Sequence, residues 1–251
     1  MATLLTGVPM SVLRRLALAI LGVLCLEALA ARPVYASEGS RAAGGPPPAT
    51  GSADFLDESA SDDARETASW VIRTGDNQGR PFIIVDKKDT KVFVFDGRAN
   101  LRGATMVLLG LAVGDDSAPG VGDRALSQIR PEERTTPAGR FVASFGLNLA
   151  GQDILWIDYN TALALHRVLA AGTSQHRLER LAPRSALSRR ITFGCINVPV
   201  KFYEEVVQAE FHGTVGVVYI LPETKPIHEV FPVSETGVGG RTQDRGAKSA
   251  V

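Results

Sequence analysis

Apolar residues alternate with polar ones, or form short runs rich in Val, Ile and Phe, over most of the chain between residues 81 and 221. Two such runs flank the polar residues 87–91, and this pattern predicts a β-hairpin over residues 81–97. Further runs bounded by Gly, Asn, Asp or Pro predict strands over residues 104–114, 139–146, 153–159, 162–169 and 214–221. The patterns therefore indicate a mainly β fold, a barrel or sandwich-like sheet arrangement with one or two helices.

Two segments have helical patterns instead. Residues 62–74 follow the capping residue Ser61, carry acidic side chains in the first turn and end before Gly75. Residues 198–211 have Pro199 near the first turn and apolar side chains at helical spacing. We expect a short helix before the first strand and a second helix before the last.

The N-terminal segment has the layout of a secretory signal peptide. Arg14 and Arg15 precede the uncharged run 16–26, which is too short to span a bilayer. We predict a signal peptide over residues 1–36, cut before Ser37, and therefore a domain in the periplasm or cell envelope with no transmembrane segment after cleavage. Cleavage at Ala30, or retention of the segment as an anchor, would export the same domain.

Composition divides the rest of the chain into three parts. Residues 37–63 are rich in Gly, Pro, Ala, Ser and acidic side chains, which predicts a disordered linker. Residues 232–251 predict a disordered tail, and residues 64–231 a single domain. The formal charge of the whole chain is zero, with 22% charged and 45% hydrophobic residues, so no electrostatic footprint for nucleic acid is present.

The chain contains two cysteines, and Cys25 leaves with the signal peptide. Cys195 would then face an oxidising compartment without a partner in its own chain. It follows Gly194 on a predicted turn ahead of a helix, a place that would lower the pKa of the thiol, and the N–H groups of Gly194 and Cys195 are candidate oxyanion donors. Catalysis by a nucleophilic thiol is favoured over the alternative of a buried structural cysteine.

A nucleophilic thiol needs a base, and the chain has four histidines: His166, His176, His212 and His228. His166 lies in a predicted strand, where alternation places it on one face with Ala162 and Ala164, two small residues that leave room for a substrate. The other three lie in polar, Pro-bounded or helix-end positions and are expected to be structural or solvated. One cysteine and scattered histidines lack metal-ligand spacing, so neither a metal nor a cofactor is expected.

Two motifs carry a resemblance to a known family. Residues 192–196 read Thr-Phe-Gly-Cys-Ile downstream of His166, and residues 136–141 read Thr-Pro-Ala-Gly-Arg-Phe. Together they resemble the bacterial L,D-transpeptidase catalytic domain, and the resemblance extends from about Phe82 to about Leu221. It implies a mainly β catalytic domain, barrel or sandwich-like, with the cysteine at the rim of the sheet.

The resemblance also implies a reaction. The Cys195 thiolate would attack a peptidoglycan stem tetrapeptide at the carbonyl between the L-centre of diaminopimelate and the terminal D-Ala. His166 would take the thiol proton and return it to the leaving amine, and a backbone carbonyl, rather than an acidic side chain, would orient the imidazole. The thioester would pass to an amine of another stem, giving a cross-link, or to water.

The chain departs from the commoner family pattern at two positions. Phe193 stands where many members have a second histidine, and Asn197 where many have an arginine. Arginines between residues 167 and 190 are candidate contacts for a substrate carboxylate. The candidate substrate-binding residues are therefore Thr192, Phe193, Asn197 and Arg190.

Three alternatives to transpeptidation remain. The thioester could pass to water, which would make the domain an L,D-carboxypeptidase. A papain-like hydrolase is disfavoured, because its histidine normally follows its cysteine in the chain. A catalytically silent wall-binding domain is compatible with Phe193 and Asn197.

Overall fold

The computed structural model describes residues 51–168, 176–182 and 185–233. The predicted signal peptide, the first part of the predicted linker and the predicted tail beyond residue 233 lie outside the described residues. In the described parts of the chain, every helix is too short or too polar to cross a membrane.

Ten strands and four α-helical segments are present in the described residues. The helices are α1 (Asp62–Thr74), α2 (Arg177–Arg180), α3 (Val200–Phe202) and α4 (Gln208–Phe211), and a π-helical segment, Tyr203–Val207, joins α3 to α4. The strands are β1 (Phe82–Asp86), β2 (Lys91–Phe95), β3 (Leu101–Met106), β4 (Leu109–Gly110), β5 (Gly139–Leu147), β6 (Asp153–Asp158), β7 (Leu163–Arg167), β8 (Arg190–Thr192), β9 (Ile196–Val198) and β10 (Val215–Ile220). Short 3₁₀ turns cover Val121–Asp123, Leu126–Gln128, Pro131–Glu133, Ala186–Arg189 and Ile227–Glu229.

Eight of the strands form one mixed sheet in the order β3-β2-β1-β10-β5-β6-β7-β9. β1 pairs with β10 in parallel, as β7 does with β9, and the other neighbours are antiparallel. The two edges approach each other where Leu108, just after β3, and Asn197 of β9 exchange two N–H···O bonds of 2.9 Å. The fold is therefore mainly β, as predicted, with one sheet that curls nearly into a barrel.

Both faces of the sheet are covered. Ile83 and Val85 of β1 point to a core that includes Tyr203, Val207 and Phe211 of the helical residues 200–211. The alternate residues of β1 point to a second core under α1, where Trp70 and Tyr219 meet edge to face with ring centroids 6.0 Å apart. Because both faces are buried, β1 is apolar nearly throughout instead of alternating.

Most of the predicted elements are confirmed. α1 begins after Ser61, whose hydroxyl accepts the N–H of Ala64, and ends at Gly75 in the left-handed conformation. The hairpin and the strands predicted near residues 139, 153, 162 and 214 form. The run 104–114 was predicted as one strand, but it divides into the end of β3 and the short β4, because the chain leaves β2 at Val107 to pair with β8.

The domain begins earlier in the chain than the composition predicts. Phe55 is buried and lies edge-on against Phe93 and Phe95, with ring centroids 4.9 and 5.4 Å apart. The predicted linker 37–63 therefore includes residues that belong to the folded core, and a boundary at residue 64 is too late. Phe55 and Ala53 are both buried, and Lys91 pairs with Glu58 and donates to the carbonyl of Ser59, so apolar and polar contacts together hold this segment.

A group of buried charges lies where β1 ends. The Lys87 ammonium donates to Asp115 Oδ1 at 2.6 Å and to the carbonyl of Thr136 at 2.9 Å. Glu223 lies 3.6 Å from the same ammonium and pairs with Arg190, whose guanidinium donates to the carbonyl of Lys87 at 3.1 Å. Burial by itself would raise the pKa of Asp115, but hydrogen bonds from Lys87 and Thr224 hold that pKa far below its ordinary value.

Replacing Lys87 should destabilise the protein far more than replacing its exposed neighbour. Lys87→Met leaves the buried carboxylate of Asp115 without its cation and removes the more distant of the two cations near Glu223, which is expected to cost about 3–5 kcal/mol of the free energy of unfolding. Lys88→Met removes a lysine that pairs with Asp63 at the surface, and it should cost at most about 1 kcal/mol. Urea denaturation of the two variants measures both values, and equal losses would contradict the buried network.

Candidate active site

The pairing of β7 with β9 brings the predicted nucleophile and base together. His166 is opposite Asn197 in the parallel register, and Leu165 is opposite Ile196. Because side chains alternate along a strand, Leu165 and Ile196 enter the core. His166 and Cys195, which immediately precedes β9, lie on the opposite face and line one cleft.

This cleft has a volume of about 650 Å³. Ala164 lines it beside His166, as the alternation of the strand predicts, and Ala162 lines it from the turn before β7. Its other wall is largely apolar. It is formed by the end of β5, the β5–β6 turn, β6 with the residue after it, and the 3₁₀ turn Leu126–Gln128. Its apolar side chains include Leu126, Leu147, Leu149, Trp156 and Tyr159. The arrangement provides a groove of the size that small peptides and other small ligands occupy.

The turn that carries Cys195 is closed by one hydroxyl. Thr192 Oγ1 donates to the carbonyl of Cys195 at 2.7 Å and accepts the N–H of Gly194 at 3.1 Å. Gly194 has a φ of 135°, and a Cβ at this position would lie 2.8 Å from the carbonyl oxygen of Thr135. Only glycine fits this turn without displacing the neighbouring backbone.

The segment 134–136 holds the same turn from outside. Thr136 Oγ1 donates to the carbonyl of Gly194 at 2.7 Å and accepts the N–H of Gly110 at 2.9 Å. The guanidinium of Arg134 lies 4.0 Å from the centroid of the Phe193 ring. The first threonine of the Thr-Pro-Ala-Gly-Arg-Phe motif is thus a brace for the cysteine turn, a contact that its sequence position did not reveal.

The electrostatic expectation for the thiol was wrong. β9 lies between Cys195 and the helix that begins at Val200, so Cys195 is not at the N-terminus of that helix. Burial raises the pKa of the Cys195 thiol, and the N–H groups of Ala164 and of Cys195 itself offset this only in part. Cys195 Sγ donates weakly to the carbonyl of Ala162 at 3.5 Å. At neutral pH the thiol is therefore protonated in the resting site.

His166 has a partner at each ring nitrogen. Nδ1 lies 2.9 Å from the carbonyl oxygen of Arg167, and Nε2 lies 3.0 Å from Nδ2 of Asn197. Burial lowers the pKa of His166, the bond to Arg167 opposes this, and the nearby charge of Arg177 lowers the pKa further. Among the described residues, no hydrogen bond joins His166 to the Cys195 thiol, so a proton transfer between them requires the ring to exchange its contact with Asn197.

Several predicted substrate contacts have other roles. Arg190 is buried and pairs with Glu223, and Thr192 closes the cysteine turn instead of facing the cleft. The N–H of Gly194 is taken by Thr192, which leaves that of Cys195 as the remaining predicted oxyanion donor. Phe193 lines a small separate cavity of about 20 Å³ with Cys195, and Asn197 contacts the histidine.

The arginines between residues 167 and 190 divide in the same way. Arg189 is buried against Thr90, and Arg180 donates to the carbonyl of Ser188, both away from the cleft. Arg167 lines the cleft and pairs with Asp153 at 2.9 Å, while Arg177 donates to Asn197 at 2.8 Å. Arg184 lies outside the described residues. Two of the five described arginines thus remain near the predicted catalytic residues.

Searches of the chain against protein-family models and against curated protein sequences found no match. Among the described residues, no three His, Cys, Asp or Glu side chains are grouped to hold a metal ion. The arrangement that remains is a half-buried thiol and a neutral imidazole on one face of a parallel strand pair, at the floor of a mainly apolar cleft. Such a pair can carry nucleophilic acyl transfer once the thiol loses its proton.

The close approach of Thr135 predicts a specific intolerance at Gly194. Gly194→Ala should destabilise the protein and disturb the cysteine turn, because its Cβ would meet a backbone oxygen. Gly120→Ala is the matched control, since Gly120 also has a positive φ, 66°, but has no atom within 4 Å of its Cβ position. The control should cost about 1 kcal/mol from backbone strain alone. Thermal unfolding compares the two variants, and equal losses would contradict the packing argument.

The raised pKa of Cys195 predicts slow alkylation at neutral pH. Because the thiolate is the reacting form, iodoacetamide should modify folded protein more slowly at pH 7 than it modifies a cysteine in an unstructured peptide. The rate should rise as the pH passes above the ordinary range of a thiol. Intact-mass measurement at a series of pH values tests this, and faster reaction than the peptide at pH 7 would contradict it.

Proposed function

We propose that this domain is an exported cysteine acyltransferase that acts on peptidoglycan stem peptides through a Cys195 thioester, as an L,D-transpeptidase with the fold of that family. The observation that supports it best is the joint position of Cys195, His166 and two small alanines in one cleft. The hydrogen bond from Thr136 to Gly194 adds support, because it joins the motif at residues 136–141 to the motif at residues 192–196.

The proposed reaction begins with a neutral thiol and a neutral imidazole. When the substrate carbonyl binds, His166 exchanges its contact with Asn197 for the thiol and takes the proton at Nε2, and the Sγ–C bond forms. The N–H of Cys195 donates to the developing oxyanion. The C–N bond to D-Ala then breaks, and the leaving amine takes the proton from the imidazole. The carbonyl of Arg167 keeps the ring oriented at Nδ1 throughout.

The thioester is then resolved by an incoming amine. The diaminopimelate side chain of a second stem attacks the carbonyl, His166 removes its proton, and the Cys195 thiol is released with that proton. The apolar wall around Trp156 and Tyr159, whose rings stack 4.6 Å apart, limits the water that competes with this amine. The proposed location is the periplasm or cell envelope.

A catalytically silent wall-binding domain is the second candidate. Two observations favour it: Nε2 of His166 already accepts a hydrogen bond from Asn197, and the pKa of the Cys195 thiol is raised. An L,D-carboxypeptidase differs from the proposed enzyme only in the acceptor, which would be water. The two enzyme hypotheses predict different products and the silent domain predicts none, so one set of reactions distinguishes the three.

The proposal predicts covalent acylation at one residue. Full chain without residues 1–36, incubated with a carbapenem or a stem tetrapeptide, should gain one acyl adduct on Cys195. Cys195→Ala should fold normally and gain none, and His166→Ala should acylate roughly 10²-fold more slowly or worse. His212→Ala removes an exposed histidine at the end of α4 and is the matched control, with an unchanged rate.

Intact-mass kinetics measure these rates, and muropeptide analysis identifies the product. Diaminopimelate-to-diaminopimelate dimers support the transferase, whereas tripeptide without dimer indicates the carboxypeptidase. If folded wild-type protein gained no adduct, both enzyme hypotheses would be wrong, and the catalytically silent domain would be the remaining hypothesis. A Cys195→Ala variant that fails to fold would instead indicate a structural cysteine.

A further inference from the structure

A chain of three hydrogen bonds connects an arginine on α2 to the backbone of β7 through the imidazole. Arg177 Nη1 donates to Asn197 Oδ1 at 2.8 Å. Asn197 Nδ2 lies 3.0 Å from His166 Nε2, and His166 Nδ1 lies 2.9 Å from the carbonyl oxygen of Arg167. Asn197 is buried, with 1% of its surface exposed, so water does not compete for its amide.

The donor and acceptor capacities of these groups determine where the proton on the imidazole lies. A guanidinium only donates, so Arg177 requires the oxygen of the Asn197 amide, and the NH₂ group then faces His166. That NH₂ group donates, so Nε2 accepts and carries no proton. A carbonyl only accepts, so Nδ1 carries the proton and donates it to Arg167. Every bond in the chain agrees with a single tautomer.

We infer that Arg177 and Asn197 are positioning residues that fix the ring orientation and the tautomer of His166, with the lone pair on Nε2. This rests on the proposed role of His166 as the base. A free imidazole in water divides its proton between the two nitrogens, whereas this ring has its accepting nitrogen set before a substrate arrives. The Asn197 amide donates to Nε2 until the Cys195 thiol takes its place as the donor.

Burial is the main cause that lowers the pKa of His166, and the contacts with Asn197 and Arg177 act in the same direction. An N–H donated to Nε2 stabilises the neutral ring, and the positive charge of Arg177 opposes an imidazolium nearby. In the described part of the chain, the other titratable groups beside the ring are the Cys195 thiol and, on its own strand, Arg167, whose charge is paired with Asp153 of β6 and Glu204 of the π-helical segment. Removing either positioning residue should therefore raise the pKa of His166.

The test is nitrogen-15 NMR of the histidine rings in the chain without residues 1–36. The His166 signals are identified by their loss in His166→Gln. Above the pKa of its ring, wild-type His166 should show a protonated Nδ1 and an unprotonated Nε2. Asn197→Leu keeps the volume but removes the amide, and it should give a mixture of tautomers and a titration moved to higher pH. Arg177→Gln should change the spectrum in the same direction. Arg180→Gln, from the same short helix, should leave it unchanged.

A pH–rate profile gives the functional readout. The acid limb of Cys195 acylation reports loss of the neutral base, so a raised pKa of His166 should move that limb to higher pH in Asn197→Leu and Arg177→Gln. Both variants should slow acylation by roughly tenfold, less than the 10²-fold or more expected when the base itself is removed. If Asn197 and Arg177 had only a structural role, their replacement would lower the stability of the protein but leave the acid limb of the pH–rate profile at the same pH.

The outcomes separate this inference from the proposed function. A wild-type His166 that is protonated at Nε2, or that titrates unchanged in both variants, overturns the inference whatever the enzyme does. The predicted tautomer in a protein that forms no acyl adduct supports the positioning role and overturns the proposed function. If Asn197→Leu does not fold, Arg177→Gln provides the same measurement from a partly exposed position.

Discussion

The candidate site depends on one buried ammonium group, that of Lys87. A buried charge is tolerated only when it is fully paired, and Lys87 meets this requirement with Asp115, Glu223 and the carbonyl of Thr136. The last contact fixes the residue whose hydroxyl holds Gly194, so the ionic network at the end of β1 is two bonds from the cysteine turn. The buried ionic network therefore contributes to the position of the predicted nucleophile from elsewhere in the fold.

The nucleophile and the base are held in different ways. The cysteine turn is held through its own backbone: its carbonyls accept the hydroxyls of Thr136 and Thr192, and the carbonyl of Thr135 packs against Gly194. The imidazole is held by a side chain, Asn197, that can release it. In the proposed reaction this difference is useful, because the sulfur must keep its place while the proton acceptor changes partners. The neutral state of both groups agrees with a site that becomes reactive only when a substrate binds.

Much of the fold could be predicted from the sequence, because its signals are local. Ser61 and Gly75 delimit α1, and the alternation in β7 places His166 beside Ala164. The contacts that organise the site are not local. The sequence does not show that Thr136 donates a hydrogen bond to Gly194, 58 residues away, or that Arg190 forms an ion pair with Glu223. The pKa of Cys195 was predicted in the wrong direction because the packing that buries the thiol is not local, and because the three residues of β9, which separate it from the helix, are too few to give a strand pattern.

The bridge between Leu108 and Asn197 has a consequence for local opening. It joins the two edges of the sheet through only two main-chain bonds, and one of its residues also contacts the imidazole. Short seams of this kind separate at a lower free energy than the strands in the middle of a sheet. An opening of the seam would reach the imidazole through Asn197, so the chemistry of this domain is exposed to a motion smaller than global unfolding.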